Sequence, residues 1–202
     1  LDKNLPVIIS SGMSTYDELD NAIEMLSINQ RLVIPMQCTS KYPTKPQDWG
    51  LENIEIMKER YKCFVGFSDH SGDIYASLGA ITKGADLLEI HLIFSKHCFG
   101  PDTTSSVTID QMRQIIKGTR LLKNSLNKNL NKNHLTKEII NMKKIFEKKI
   151  VAKEKISKGS IIKISDICGK KGYKEGLGVD KIYNIIGKKA SKDYKVDELV
   201  IE

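Results

Sequence analysis

The sequence predicts an α/β fold, with a parallel sheet covered by helices and a smaller β-rich domain after it. Three observations carry that expectation. Strand-like and helix-like segments alternate four times over residues 1–125. The strand-like runs are apolar throughout instead of at every second position, as in parallel sheets buried on both faces. Past an Asn/Lys-rich stretch the texture changes to short β-type runs punctuated by glycine.

Taken in order, Val7–Ser10 is a short apolar run ending in Ser11-Gly12. Thr15-x-x-Glu18 then reads as a capping box opening a helix to about Ser27. Leu32–Thr39 is the second run, followed by a polar loop with Pro43 and Pro46. A helix over Leu51–Tyr61 places Leu51, Ile54, Met57 and Tyr61 on one face. Cys63–Phe67 is the third run, 73–83 a small-residue helix, and Asp86–Phe94 the fourth run. Thr108-x-x-Gln111 opens a helix to about Leu122. Four such units fit half of a (β/α)8 barrel or an open doubly wound sheet; no glycine-rich nucleotide signature follows any strand. Residues 126–148 are expected to hold a linker and a short helix (Thr136–Glu147), and 149–202 a separate β-rich domain with runs at Ile150–Ala152 and Ile161–Ile164.

Bulk composition narrows the function. The net charge is +7, but only four of the 32 basic residues are arginine (Arg31, Arg60, Arg113, Arg120) and aromatics make up 6%. A nucleic-acid surface is richer in arginine with interleaved aromatics, so the lysines read as solvated helix faces and no nucleic-acid partner is expected. No apolar run reaches the length of a membrane span, and no membrane partner is expected. Cys38, Cys63, Cys98 and Cys168 are far apart with no CxxC pair, which fits reduced thiols and a cytoplasmic location. The chain opens Leu1-Asp2-Lys3 almost against an apolar run, without an initiator methionine or a secretory leader, and is expected to be a fragment of something longer.

In parallel α/β folds reactive groups gather at the carboxyl ends of the strands. Strand parity puts Phe64, Gly66, Ser68 and His70 on one face of the third strand, with Val65 and Phe67 on the other. On the fourth, Leu87, Glu89, His91 and Ile93 oppose Leu88, Ile90 and Leu92. The apolar faces should pack under helices, which turns Ser68, His70, Glu89 and His91 inward. Ser10 on the first strand and Met36, Cys38 and Ser40 on the second share that side. A single histidine is more often a hydrogen-bonded core or loop residue than a ligand. Two on adjacent strand ends, with Glu89 and Asp102 nearby, can hold a divalent ion through neutral imidazole nitrogens. His97 and His134 read as ordinary surface residues.

Several segments together resemble the sialic-acid (N-acylneuraminate) synthase family. They are Pro6–Met13, Gln37–Pro43, Gly66-Phe67-Ser68-Asp69-His70, Glu89-Ile90-His91 and Gly100-Pro101-Asp102, in the family's order, with 20 residues between the two histidines. Ile150–Gly159 and Ile186-Gly187-Lys188 look like the antifreeze-protein-like (SAF) domain that ends these synthases. The resemblance covers nearly the whole chain but only the second half of the family's barrel.

That resemblance implies the second half of a (β/α)8 TIM barrel followed by a small antifreeze-like (β-clip) domain. It also implies a domain-swapped homodimer in which one subunit's tail domain caps its partner's barrel. It implies Mn²⁺ or Mg²⁺ on His70 and His91, polarising the open-chain aldehyde of an N-acyl amino sugar. C3 of phosphoenolpyruvate would attack that aldehyde, water would add at C2, and phosphate would leave by C–O cleavage. Asp102 matches an aspartate at the sugar and metal site, and Glu89 sits beside the metal; both count as catalytic candidates. Ser10, Ser40 and Ser68 fall at positions lining the phosphoenolpyruvate pocket, and Tyr42 near the sugar. Four positions depart from the family pattern: Ile90 for Lys or Arg, Gln37 for His, Ser40 for Asn, and Lys171 for an arginine that contacts the N-acyl group. Lysine lacks the planar fork of donors, which leaves room for diamino sugars such as precursors of legionaminic or pseudaminic acid. The other readings are a different metal-dependent barrel aldolase or lyase, and a non-catalytic carbohydrate-binding remnant. Alone, the fragment is expected to have little or no activity.

Overall fold

The structure is a computed structural model and describes residues 5–27, 32–126 and 130–201. The chain divides into two compact units, residues 1–129 and 130–202.

The first unit is built on a four-stranded parallel sheet, β1 (Val7–Ser10), β2 (Val33–Cys38), β3 (Gly66–Asp69) and β4 (Leu87–Ile90), paired in chain order. Helices α1 (Tyr16–Ser27), α2 (Glu52–Tyr61) and α3 (Tyr75–Thr82) connect them. Parallel neighbours need crossovers of this kind. The core forms where apolar residues of sheet and helices meet: Leu19, Ile54, Met57, Val65, Phe67, Ala76, Ala80 and Ala85. Val65 and Phe67 lie there, as parity requires of the helix-covered side.

Local sequence sets the helix starts. The Thr15 amide donates to Glu18 at 2.8 Å while the Glu18 amide donates back to the Thr15 hydroxyl at 3.3 Å, closing a capping box. The Thr108 amide donates to the Gln111 side chain at 2.9 Å, with the reciprocal bond at 3.3 Å. That box opens α4 (Ile109–Leu126). Asp20 of α1 accepts from Arg60 Nε at 2.8 Å and from the Tyr61 hydroxyl at 2.8 Å, tying α1 to the end of α2.

Three expectations shift. The third strand begins at Gly66 and runs to Asp69 instead of spanning Cys63–Phe67. The Asp86–Phe94 run is not one strand: it stops at Ile90, and Leu92–Ile93 (β5) pairs in parallel with Val107–Thr108 (β6) in a separate two-stranded sheet. The break falls at His91, whose carbonyl accepts from the Val107 amide at 2.8 Å. α4 also continues into the polar stretch, to Leu126.

The second unit holds α5 (Lys137–Phe146), capped by the Thr136 hydroxyl, and an antiparallel pair, β7 (Lys149–Ala152) with β8 (Ile167–Lys170). Its core is a cluster including Ile150, Ile156, Ile162, Ile185, Tyr194 and Val200. The Tyr194 hydroxyl is satisfied by Ser191 at 3.1 Å and the Ile201 carbonyl at 3.2 Å. Ile161–Ile164 is not a strand. Ile161 makes one antiparallel bridge to Lys189, and Ile164 opens a 3₁₀ turn through Asp166. Among the described residues no helix is long and apolar enough to cross a membrane.

One contact in the sheet is demanding. Met36 is 1% exposed, and a Cβ on Gly66 would stand 2.0 Å from its sulfur and 3.1 Å from the Leu87 carbonyl oxygen. Glycine at 66 is what lets the methionine lie across β3. Gly66→Ala is expected to cost about 1–3 kcal/mol by overpacking. Denaturant unfolding of Gly66→Ala, Met36→Ala and the double variant should show the two losses coupling, with the double variant losing less than their sum. Additive losses would contradict the contact.

Candidate active site

The sheet's register assembles the site. Ser68 stands opposite Glu89 and Cys38 opposite Ser68, so side chains of β2, β3 and β4 that point away from the helices fall in rows. The Ser68 hydroxyl donates to Glu89 Oε1 at 2.7 Å, and its oxygen lies 3.4 Å from His70 Nε2. His70 is 5% exposed, and its Nδ1 is 3.0 Å from the Thr39 carbonyl oxygen. A carbonyl only accepts, so Nδ1 carries a proton, and in the neutral imidazole Nε2 keeps its lone pair.

His91, just past β4, has its ring centroid 5.2 Å from that of His70, the planes at 68°. Its Nδ1 lies 3.9 Å from Asp102 Oδ2. Tyr42, from the loop after β2, stacks on His70 with centroids 4.3 Å apart and meets His91 edge-on at 5.9 Å. The Tyr42-Pro43 peptide bond is cis. Partial desolvation pushes the Tyr42 phenol up, with negative charge at Cys38, Asp102 and Glu89 adding to it, although the residue is 51% exposed.

Ser10 and Ser40 line the same side nearer β1. A Cβ on Gly12 would stand 2.5 Å from Ser40 Oγ, 3.1 Å from Cys38 Sγ and 3.4 Å from Ser10 Oγ, so glycine there keeps a space walled by three polar side chains. A hollow of about 250 Å³ opens toward the helices, lined by Leu19, Gln37, Asn53 and Met57 together with Ser11, Thr15, Thr39 and Ser40. Gln37 faces the helices, donating to the Trp49 carbonyl at 3.2 Å and accepting from Asn53 at 3.1 Å. Ser68, His70, Glu89, His91, Asp102 and Tyr42 are thus one cluster, with Ser10 and Ser40 along the same sheet face. Lys171 belongs to the second unit, where its ammonium sits 5.1 Å from the centre of the Phe146 ring.

The donor set suits a divalent ion. Ser68 spends its proton on Glu89, so its oxygen and the unprotonated His70 Nε2 present lone pairs to each other, an arrangement that positive charge relieves. Imidazole and carboxylate together fit Mn²⁺-type ions. Among the described residues no three His, Cys, Asp or Glu side chains already converge on one metal position, and the two imidazole rings have their centroids 5.2 Å apart. His97 and His134 are exposed, and His134 belongs to the second unit.

Two further groups act here that residue-type reasoning did not single out. The Thr39 carbonyl fixes the His70 tautomer, and Asp69, 1% exposed, accepts from the Ser71 amide at 2.8 Å and from the Ser77 hydroxyl. Asp69 lies within the Gly66–His70 segment but points to the helix side. The Thr39 contribution is made by main chain, which no side-chain pattern records.

The NeuB family model matches residues 1–131. The chain is 28% identical over 202 residues to the N,N'-diacetyllegionaminic acid synthase of Campylobacter jejuni, covering 98% of this chain and 60% of that protein. It is 29% identical over 204 residues to the N-acetylneuraminate-9-phosphate synthase of Homo sapiens, covering 99% and 55%. The solved N-acetylneuraminic acid (sialic acid) synthetase of Leptospira borgpetersenii, in complex with citrate, superposes with a TM-score of 0.61 at 26% identity, covering 70% of this chain and 50% of that one. The chain therefore spans half to three-fifths of the length of these relatives.

Raised in the folded state, the Tyr42 phenol contributes stability below its ordinary value near 10, and that contribution is lost as pH rises through the folded value. The difference in phenolate absorbance between wild type and Tyr42→Phe should have its midpoint above pH 10. A midpoint at or below it would contradict the packing of the ring.

Proposed function

Because the chain belongs to the NeuB family, we propose that it is the later part of a nonulosonate synthase that condenses phosphoenolpyruvate with an N-acyl amino sugar. The observation that carries this reading is the cluster of His70, His91, Glu89, Ser68, Tyr42 and Asp102 at the strand ends. Under it, the four-stranded sheet is the second half of a (β/α)8 barrel and residues 149–202 are its antifreeze-like (SAF) domain. The open edges of β1 and β4 are then where the rest of the barrel pairs. Two subunits are proposed to form a domain-swapped dimer in which each tail domain caps the other's barrel. A cytoplasmic setting agrees with four free cysteines.

The residues divide the work by their chemistry. Ser10 and Ser40 offer hydroxyl donors along one wall for the anionic oxygens of phosphoenolpyruvate, and Ser68, whose proton is directed to Glu89, lines the same wall. Tyr42, its phenol kept neutral, can donate a hydrogen bond to a sugar hydroxyl while its ring holds His70 in place. Glu89 accepts the Ser68 proton, which fixes that hydroxyl's direction. Asp102, exposed at the mouth beside His91, is placed to accept a proton or hydrogen bond from the sugar. His70 and His91 would hold Mn²⁺ or Mg²⁺, which when bound supplies a Lewis acid for the sugar aldehyde. C3 of phosphoenolpyruvate then joins the aldehyde carbon, water adds at C2, and inorganic phosphate departs with the bridging oxygen.

Lys171 bears on which sugar is used. An ammonium on a flexible stem gives a point charge where arginine gives two parallel donors, so the preferred substrate is proposed to differ from N-acetylmannosamine at its acylated nitrogen substituents. Diamino sugars meet that condition.

The test is phosphate release from phosphoenolpyruvate by the full-length protein, with Mn²⁺ and a panel of N-acyl hexosamines. Release that depends on the sugar, and falls by about 10²-fold or more in His70→Ala and His91→Ala, is the expected result. A folded, metal-loaded protein that releases phosphate with no sugar of the panel would overturn the reading.

A further inference from the structure

We infer that Thr44, a residue at hydrogen-bonding distance from neither imidazole, is the positioning residue that holds His70 in its ligating tautomer. The inference rests on the proposed function only in what the tautomer is for; the geometry stands by itself.

Thr44 is 7% exposed and uses its main chain and its hydroxyl in opposite directions. Its amide donates to the His70 carbonyl at 3.0 Å, fastening the loop after β2 to the end of β3. Its hydroxyl donates to the Lys41 carbonyl at 2.7 Å and approaches the Thr39 carbonyl oxygen at 3.4 Å. That Thr39 oxygen is the acceptor of the His70 Nδ1 proton at 3.0 Å. The bonds close a ring: His70 main chain to Thr44, Thr44 hydroxyl to the 39–41 turn, and the turn's carbonyl back to the His70 imidazole. The segment is pinned from outside as well, since the Thr39 hydroxyl donates to the Asp48 carbonyl at 2.7 Å and Trp49 Nε1 donates to the Thr44 carbonyl at 3.4 Å.

A neutral imidazole carries its proton wherever a partner rewards it. Without a correctly aimed carbonyl, the proton of an imidazole is no longer held on Nδ1, and a proton on Nε2 removes the lone pair a metal needs. The Thr44 hydroxyl aims that carbonyl by satisfying the turn from inside. Tyr42 lies within the same turn, so its stacking on His70 depends on the same anchor.

The experiment is nitrogen NMR of the full-length protein with ¹⁵N-labelled histidine, at a pH where the imidazoles are neutral. Wild type should show His70 with Nδ1 protonated and Nε2 bare, whereas Thr44→Val should move the resonances toward a mixed or Nε2-protonated state. Thr44→Ser, which keeps the hydroxyl, should restore the wild-type pattern. Mn²⁺ affinity should fall in step, by about 10–100-fold in Thr44→Val, as for other groups that orient a metal-bound histidine. A wild-type His70 protonated on Nε2, or a folded Thr44→Val with an unchanged tautomer, would overturn the inference. So would loss of fold in both Thr44→Val and Thr44→Ala, which would make Thr44 a packing residue. If the tautomer shifts as expected but wild type binds no Mn²⁺, the inference about Thr44 stands and it is the proposed function that fails.

Discussion

The candidate site depends on the parallel register of β3 against β4. Ser68 opposite Glu89 is a constraint of the backbone ladder, and it fixes how far His70 can stand from His91. A slip of one residue would pair Ser68 with Leu88 or Ile90 and put it on the opposite face of the sheet from Glu89. The core enforces the register, because Val65 and Phe67 fill the space beneath the helices. Gly66 enforces it from the other face by admitting the side chain of Met36.

From that register the chemistry follows in steps of increasing fragility. Strand geometry delivers Ser68 and Glu89 at hydrogen-bond distance. The residue after each strand, His70 and His91, lies where the regular ladder ends, so loops must finish the job. The 39–49 loop does so for His70 with a carbonyl, a stacked tyrosine and a buried threonine. His91 has less support: a main-chain bond to Val107 and a carboxylate at 3.9 Å. The two histidines are therefore unequally held, one buried and locked, the other half open toward Asp102.

Much of this was legible in the sequence, and the limits have physical causes. Period-two parity placed Ser68 and Glu89 on one side because the side-chain alternation of a strand leaves no freedom, and it carried one residue further to His70 and His91 only because the neighbouring loops continue it. Capping boxes at Thr15 and Thr108 were readable because their partners lie three residues apart. Strand ends were not. Cys63 and Phe64 are apolar but precede the ladder, and the run through Phe94 is broken by a change of pairing partner at His91. Ile161–Ile164 has strand-like composition, yet its residues belong to bridges and a 3₁₀ turn, where tertiary context overrides β-propensity. The tautomer of His70 was out of reach, since it is set by a main-chain oxygen 31 residues away.

The central claim is that His70 and His91 form one ion-binding pair. Paramagnetic broadening by Mn²⁺, followed on the four histidine rings by NMR, tests it most directly. The account predicts that the His70 and His91 signals broaden together at the lowest Mn²⁺ concentrations while His97 and His134 stay sharp. Broadening that begins at His97 or His134, or that reaches only one ring of the pair, would contradict it.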